Sequence, residues 1–155
     1  MTAQNPTGEQ GPAGMRAATI DRYGSADVIN VKEIERPQCG PDEVVVGVRA
    51  ASVNPYDWHN MTGTPLLMRM GGGWRAPKSN LLGLDVAGVV ESVGSNVSNF
   101  ATGDEVFGCA EGAFAEYVSA KADTLVHKPA VLSFEEAAAV PVAALTAVQG
   151  LRDHG

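Results

Sequence analysis

The sequence predicts a mainly β fold: a compact, partly open β-barrel with short helices and a helix pair at its C-terminal end. Three observations carry this. Strand-like runs recur about every 10 residues from Met15 to Val53 with turn residues between them, the spacing of a barrel or sandwich. The stretch Leu81–Gly108 reads as two strands joined by a tight loop. Its Val86, Val89, Val90 and Val93 are separated by small residues, as in a buried strand. Strong helix signals gather only after Ser133.

In chain order, residues 1–14 are rich in Gly, Pro, Gln, Asn and Thr without periodicity, so a disordered tail is expected, with Met15 opening the fold. Strands are expected at Met15–Ile20, Val28–Ile34 and Glu43–Val53, the turn before the third supplied by Arg36-Pro37 and Gly40-Pro41-Asp42. Asn54-Pro55 ends the third strand, and Tyr56–Met61 fits one helical turn. The irregular Thr62–Ser79, with three glycines at 71–73, reads as a mobile or functional loop rather than a phosphate cradle.

In the central stretch Gly94-Ser95-Asn96 breaks the first strand, and Thr102-Gly103-Asp104 turns into a second, Glu105–Phe107. Gly83 and Gly88 sit where another backbone approaches closely. Further strands are expected at Gly112–Val118 and Thr124–Lys128. Ser133-Phe-Glu-Glu136 is a capping box that opens a first helix. Pro141 cannot sit inside that helix, so it starts a second one reaching about Arg152.

The 155 residues suffice for one ordinary core. A net charge of −7 favours solubility and argues against nucleic acid or an anionic membrane as partner. No apolar run approaches the roughly 20 residues of a membrane helix, and with no apolar signal core a cytoplasmic location is expected. Cys39 and Cys109 are the only cysteines, so neither a structural zinc nor a disulfide framework is supported. There is no Gly-x-Gly-x-x-Gly after a strand and no Walker loop, hence no dinucleotide fold in these residues.

The chemistry-bearing stretch is Asn54-Pro55-Tyr56-Asp57-Trp58-His59, at a sharp exit from a strand. Asp57 and His59 are two apart and can both reach one cleft. A histidine there titrates near neutrality and can relay a proton. The plainer alternative is that Asp57 caps the turn and His59 is merely exposed. The Ala-rich run Pro141–Ala147 reads as a buried helix with Thr146 bonded to its own backbone.

Gly83, Asp85, Ala87, Gly88, Val90, Val93, Gly94, Gly103, Asp104 and Val106 together resemble the signature of the medium-chain dehydrogenase/reductase superfamily. Its zinc-containing alcohol dehydrogenases carry a ligand Cys where this chain has Asn54, with Asp three residues on and a relay His five on, matched by Asp57 and His59. The His of their Gly-His-Glu is Leu84 here, and the Glu is Asp85. Catalytic zinc needs three protein ligands and two expected ones are missing, so no metal is expected. Asn-Pro-x-Asp with Gly-x-Asp-x-Ala-Gly instead resembles the zinc-independent quinone oxidoreductase branch, which includes zeta-crystallin-like reductases.

That resemblance covers about Met15–Gly155 and implies a GroES-like catalytic domain at residues 15–130, with residues 131–155 as linker helices toward a Rossmann domain that lies outside this sequence. It implies hydride transfer from NADPH (NADP as cofactor) to a quinone or an activated carbonyl or alkene. Asn54 would bind a carbonyl or a ribose hydroxyl, Tyr56 or His59 would serve as proton donor beside Asp57, and Thr146 would pack on the nicotinamide. Many members have Tyr at the place of His59. The linker helix would then expose Val140, Val142, Leu145, Val148 and Leu151, and the chain alone is expected to be inactive. The alternative is a non-catalytic, stand-alone barrel, an interaction module or truncated gene product, whose homodimer hides that helix.

Overall fold

The computed structural model describes residues 14–67, 69–70 and 73–154. The expected tail lies outside the described residues except for Gly14, which opens the first strand, and Gly71 and Gly72 of the triple glycine lie outside them too.

Strands β1 (Gly14–Ile20) and β2 (Ile29–Glu35) form an antiparallel hairpin whose register runs from Gly14 opposite Glu35 to Ile20 opposite Ile29. The main sheet is antiparallel with order β6-β3-β4-β5-β7, built from β3 (Glu43–Ser52), β4 (Asp85–Val93), β5 (Glu105–Cys109), β6 (Tyr117–Lys121) and β7 (Leu125–His127). Its edge strands β6 and β7 do not pair with each other, so the sheet is open rather than a closed barrel. The hairpin is fastened to the segments that lead into β4 and β6 by Ala18 N–H donating to Phe114 O at 2.8 Å and Ile20 N–H to Asn80 O at 2.8 Å.

Central β4 is buried on both faces, which its Val-, Ala- and Gly-rich sequence permits. Val86 and Val90 join Val44, Val46, Val106 and Leu125 in the main core. Ala87 points the other way, onto Ala137 and Ala138 of helix α2 (Phe134–Ala138). Each fully buried valine contributes roughly 1.5–3 kcal/mol. Gly88 lets β4 lie against β3 where a β-carbon would come 2.3 Å from the Gly47 carbonyl oxygen.

Most boundaries fall within two residues of the sequence reading. The exception is the strand expected at Gly112–Val118, which forms at Tyr117–Lys121 instead. Residues before it run beside β1, where Ala115 bridges Ala17 and Glu116 N–H donates to Arg16 O at 3.0 Å. Helix α1 (Pro55–Thr62) is longer than one turn. Ser133 caps α2 through the Glu136 N–H at 3.1 Å, and α3 (Pro141–His154) begins at its proline. Leu145, Val148 and Leu151 of α3 are 55%, 50% and 75% exposed, an apolar face open to solvent in this chain. No helix among the described residues is long and apolar enough to cross a membrane.

Candidate functional site

Leaving β3, the chain enters α1 through Asn54, whose extended backbone (φ −130°) makes it the N-cap, with Pro55 at the first helical position. Three residues on, Asp57 Oδ2 accepts the Asn54 backbone N–H at 2.8 Å, the carboxylate half of a capping box. Gly63, in the left-handed region at φ 62°, ends the helix by donating its N–H to His59 O at 2.8 Å. One eight-residue helix thus positions Tyr56, Asp57 and His59.

These three side chains border a cleft of about 550 Å³, with Leu67, Leu82 and Gly83 among its other walls and Lys78 and Glu111 as further charged groups. His59 Nδ1 meets the Thr64 carbonyl oxygen. That oxygen only accepts, so Nδ1 is the donor in this contact. The Trp58 ring lies edge-on to His59 with centroids 4.9 Å apart. Tyr56 is about one-third exposed at the cleft.

Asp57 is buried, and its Oδ1 has no hydrogen-bond partner. Burial pushes its pKa above the ordinary carboxylate value; the backbone N–H groups of Asn54 and, more weakly, Gly83 oppose this, and the nearby Asp85 adds to the rise. Between the ordinary and the raised pKa the folded chain holds a proton that the unfolded chain has released. Stability tied to Asp57 is therefore present at low pH and lost as pH climbs through its folded pKa. Asp57→Asn is expected to remove that slope while keeping an oxygen for the cap. Denaturant melts of both proteins across the mildly acidic range check this, and an unchanged slope in the variant sinks it.

Asn54 does not border the cleft. Its Nδ2 donates to Asp85 Oδ2 at 3.3 Å, and its buried Oδ1 has no hydrogen-bond partner. Thr146 is exposed on α3 and also lies away from the cleft lining. The structure therefore gathers three of the five sequence-proposed residues on one cleft, links Asn54 to them through the cap, and leaves Thr146 apart.

The sequence reading missed the role of Asp85. At 1% exposure, it receives hydrogen bonds from Ser52 Oγ at 3.1 Å, Asn54 Nδ2 at 3.3 Å, Cys109 Sγ at 3.7 Å and the Val142 backbone N–H at 3.3 Å to each oxygen. One carboxylate thus joins the ends of β3, β4 and β5 to the first turn of α3, whose dipole favours a negative group there. The available signal was an acid opening an apolar buried strand, which requires donors from elsewhere. Cys109 feels the same group: burial, then the Asp85 charge and its hydrogen bond, push the thiol up to about 11. Among the described residues no group of three His, Cys, Asp or Glu side chains converges as metal ligands.

Residues 40–130 match the family described as alcohol dehydrogenase GroES-like domain. The chain is 40% identical over 144 residues to a chloroplastic quinone-oxidoreductase homolog of Spinacia oleracea, covering 88% of this chain and 42% of that protein. It is 34% identical over 154 residues to a chloroplastic NADPH-dependent alkenal/one oxidoreductase of Arabidopsis thaliana, covering 90% and 38%. The quinone oxidoreductase structure from Coxiella burnetii superposes with a TM-score of 0.81 at 34% identity, over 91% of this chain and 45% of that one. The chain thus spans about 40% of the length of the curated relatives it matches.

Proposed function

The chain belongs to the alcohol dehydrogenase GroES-like domain family, among the quinone oxidoreductases of the medium-chain dehydrogenase/reductase superfamily, and from this we propose that it supplies the N-terminal part of a quinone or enone reductase. In this reading residues 15–130 form the catalytic domain, and residues 131–155 lead to a cofactor-binding domain. NADPH supplies the hydride, the acceptor is a small quinone or an activated carbonyl or alkene, and no zinc takes part.

The observation that carries the reading is the α1 turn at the cleft: Asp57 locked onto the Asn54 backbone, with Tyr56 and His59 beside it. Asn54 stands where a zinc enzyme of the superfamily has a thiolate, and its amide is tied to Asp85 rather than offered to a metal. The cleft fits the nicotinamide end of a cofactor in kind, because Tyr56 and His59 bring polar groups to walls that Leu67 and Leu82 make apolar. Asn54 and Thr146 would hold that end. His59 or Tyr56 would deliver a proton to the reduced acceptor, and the cleft would position it.

The decisive assay follows reduced-nicotinamide consumption by the native gene product with quinones and enones, before and after chelation. Turnover that survives chelation is expected. A product with no turnover on either class, or one silenced by chelation, overturns the reading. This chain alone is expected to bind NADPH more weakly than micromolar, since its sequence has no Gly-x-Gly-x-x-Gly after a strand to cradle a pyrophosphate; a calorimetric titration giving micromolar affinity contradicts that.

The open apolar face of α3 favours a second reading, a stand-alone barrel that dimerises over Val140, Leu145, Val148 and Leu151. A native product of this length, dimeric by light scattering and broken to monomers by Leu145→Lys, would establish it.

A further inference from the structure

We infer that Asp85 is a positioning residue, which fixes the orientation of the Asn54 amide and the docking of α3 in one step. The two are joined through its carboxylate: Asn54 Nδ2 binds Oδ2 at 3.3 Å, and the Val142 N–H lies 3.3 Å from both oxygens. A carboxylate only accepts, so it selects the amide rotamer with Nδ2 inward and Oδ1 turned away from it. Asp57 holds the same residue by its backbone N–H, so Asn54 is gripped at two points by two buried acids.

Two consequences follow for the proposed reaction. The oxygen of Asn54 is an acceptor turned toward the Asp57 N–H of the capping box, and is unsuited to stabilising an oxyanion. Proton delivery and oxyanion stabilisation then fall to the cleft-facing Tyr56 and His59. Moreover, a shift of α3 against the sheet is transmitted to Asn54, because the Val142 N–H and Asn54 Nδ2 share Oδ2. Thr146, one turn along α3, moves with that helix. The placement of Thr146 and the amide of Asn54 are therefore set by one group, itself out of reach of a ligand at 1% exposure.

The linkage itself does not depend on the proposed reaction, and its test reads resonances rather than turnover. In this chain Asp85→Asn is expected to move the Asn54 side-chain amide signals and the Val142 amide signal together. The Val142 amide should also exchange about tenfold faster, the loss of one charge-assisted hydrogen bond. Ser52→Ala removes a donor to the same Oδ2 but keeps the carboxylate, and should move both signals less than Asp85→Asn does. A displaced Val142 signal with the Asn54 amide unmoved overturns the inference, making Asp85 a helix cap alone. If Asp85→Asn does not fold, Asn54→Ala reads the link from the other end, since coupling is reciprocal. It should shift the Val142 amide; an unperturbed Val142 overturns the inference equally.

Discussion

Gly88→Ala is expected to destabilise the fold by about 3 kcal/mol or more, and Gly88→Val to prevent folding. Gly88 lies in the middle of β4, opposite Val48 of β3 and Val106 of β5. A β-carbon there would stand 2.3 Å from the Gly47 carbonyl oxygen and 2.7 Å from Val46 Cγ1. The first obstacle is backbone in a paired strand, which cannot swing aside as a side-chain tip can. Relief requires parting β3 from β4, and that pairing leads into both Asn54 and Asp85. The control is Gly150 of α3, where an added β-carbon meets nothing within 4 Å and alanine should instead stabilise by about 0.5–1 kcal/mol. Chemical denaturation of the two variants side by side checks both signs. A Gly88→Ala protein within about 1 kcal/mol of wild type would mean the sheet can open locally at no great cost.

Local chemistry made most of the fold legible. The Ser133–Glu136 capping box, the Pro141 helix start and the Val-rich β4 each specify an element from neighbouring residues, and each is found where expected. Tyr117–Lys121 was harder because the residues before it alternate like a strand, yet they spend their hydrogen bonds on β1, a partner 100 positions away. The site divides in the same way. Tyr56, Asp57 and His59 sit on one short helix, so their convergence is a local property and could be read from spacing. Asp85 draws its donors from Ser52, Asn54, Cys109 and Val142, four separate segments, and no window of sequence contains that convergence. Thr146 was placed by resemblance to relatives that are longer than this chain, and here its surroundings are solvent.

Cys109 should be nearly inert toward alkylating reagents while the chain is folded, about 100-fold slower than in the denatured chain at the same pH. Thiolate is the reactive form, and raising the thiol from 9.0 to about 11 removes some 99% of it at any pH well below both values. Burial is the largest cause, followed by the Asp85 charge and by the hydrogen bond the thiol donates to Asp85 Oδ1 at 3.7 Å. All three act in one direction, because each favours the protonated sulfur. Timed alkylation followed by peptide mapping gives the rate at Cys109 separately from Cys39, whose sulfur bonds the Glu43 carbonyl in another part of the fold. Asp85→Asn deletes the two electrostatic causes and leaves burial, so Cys109 in that variant should react faster than in the wild type but still slower than in urea. A wild-type Cys109 that reacts as fast folded as unfolded would mean that β5 does not hold the thiol against Asp85, and that this end of the sheet is looser than the geometry describes.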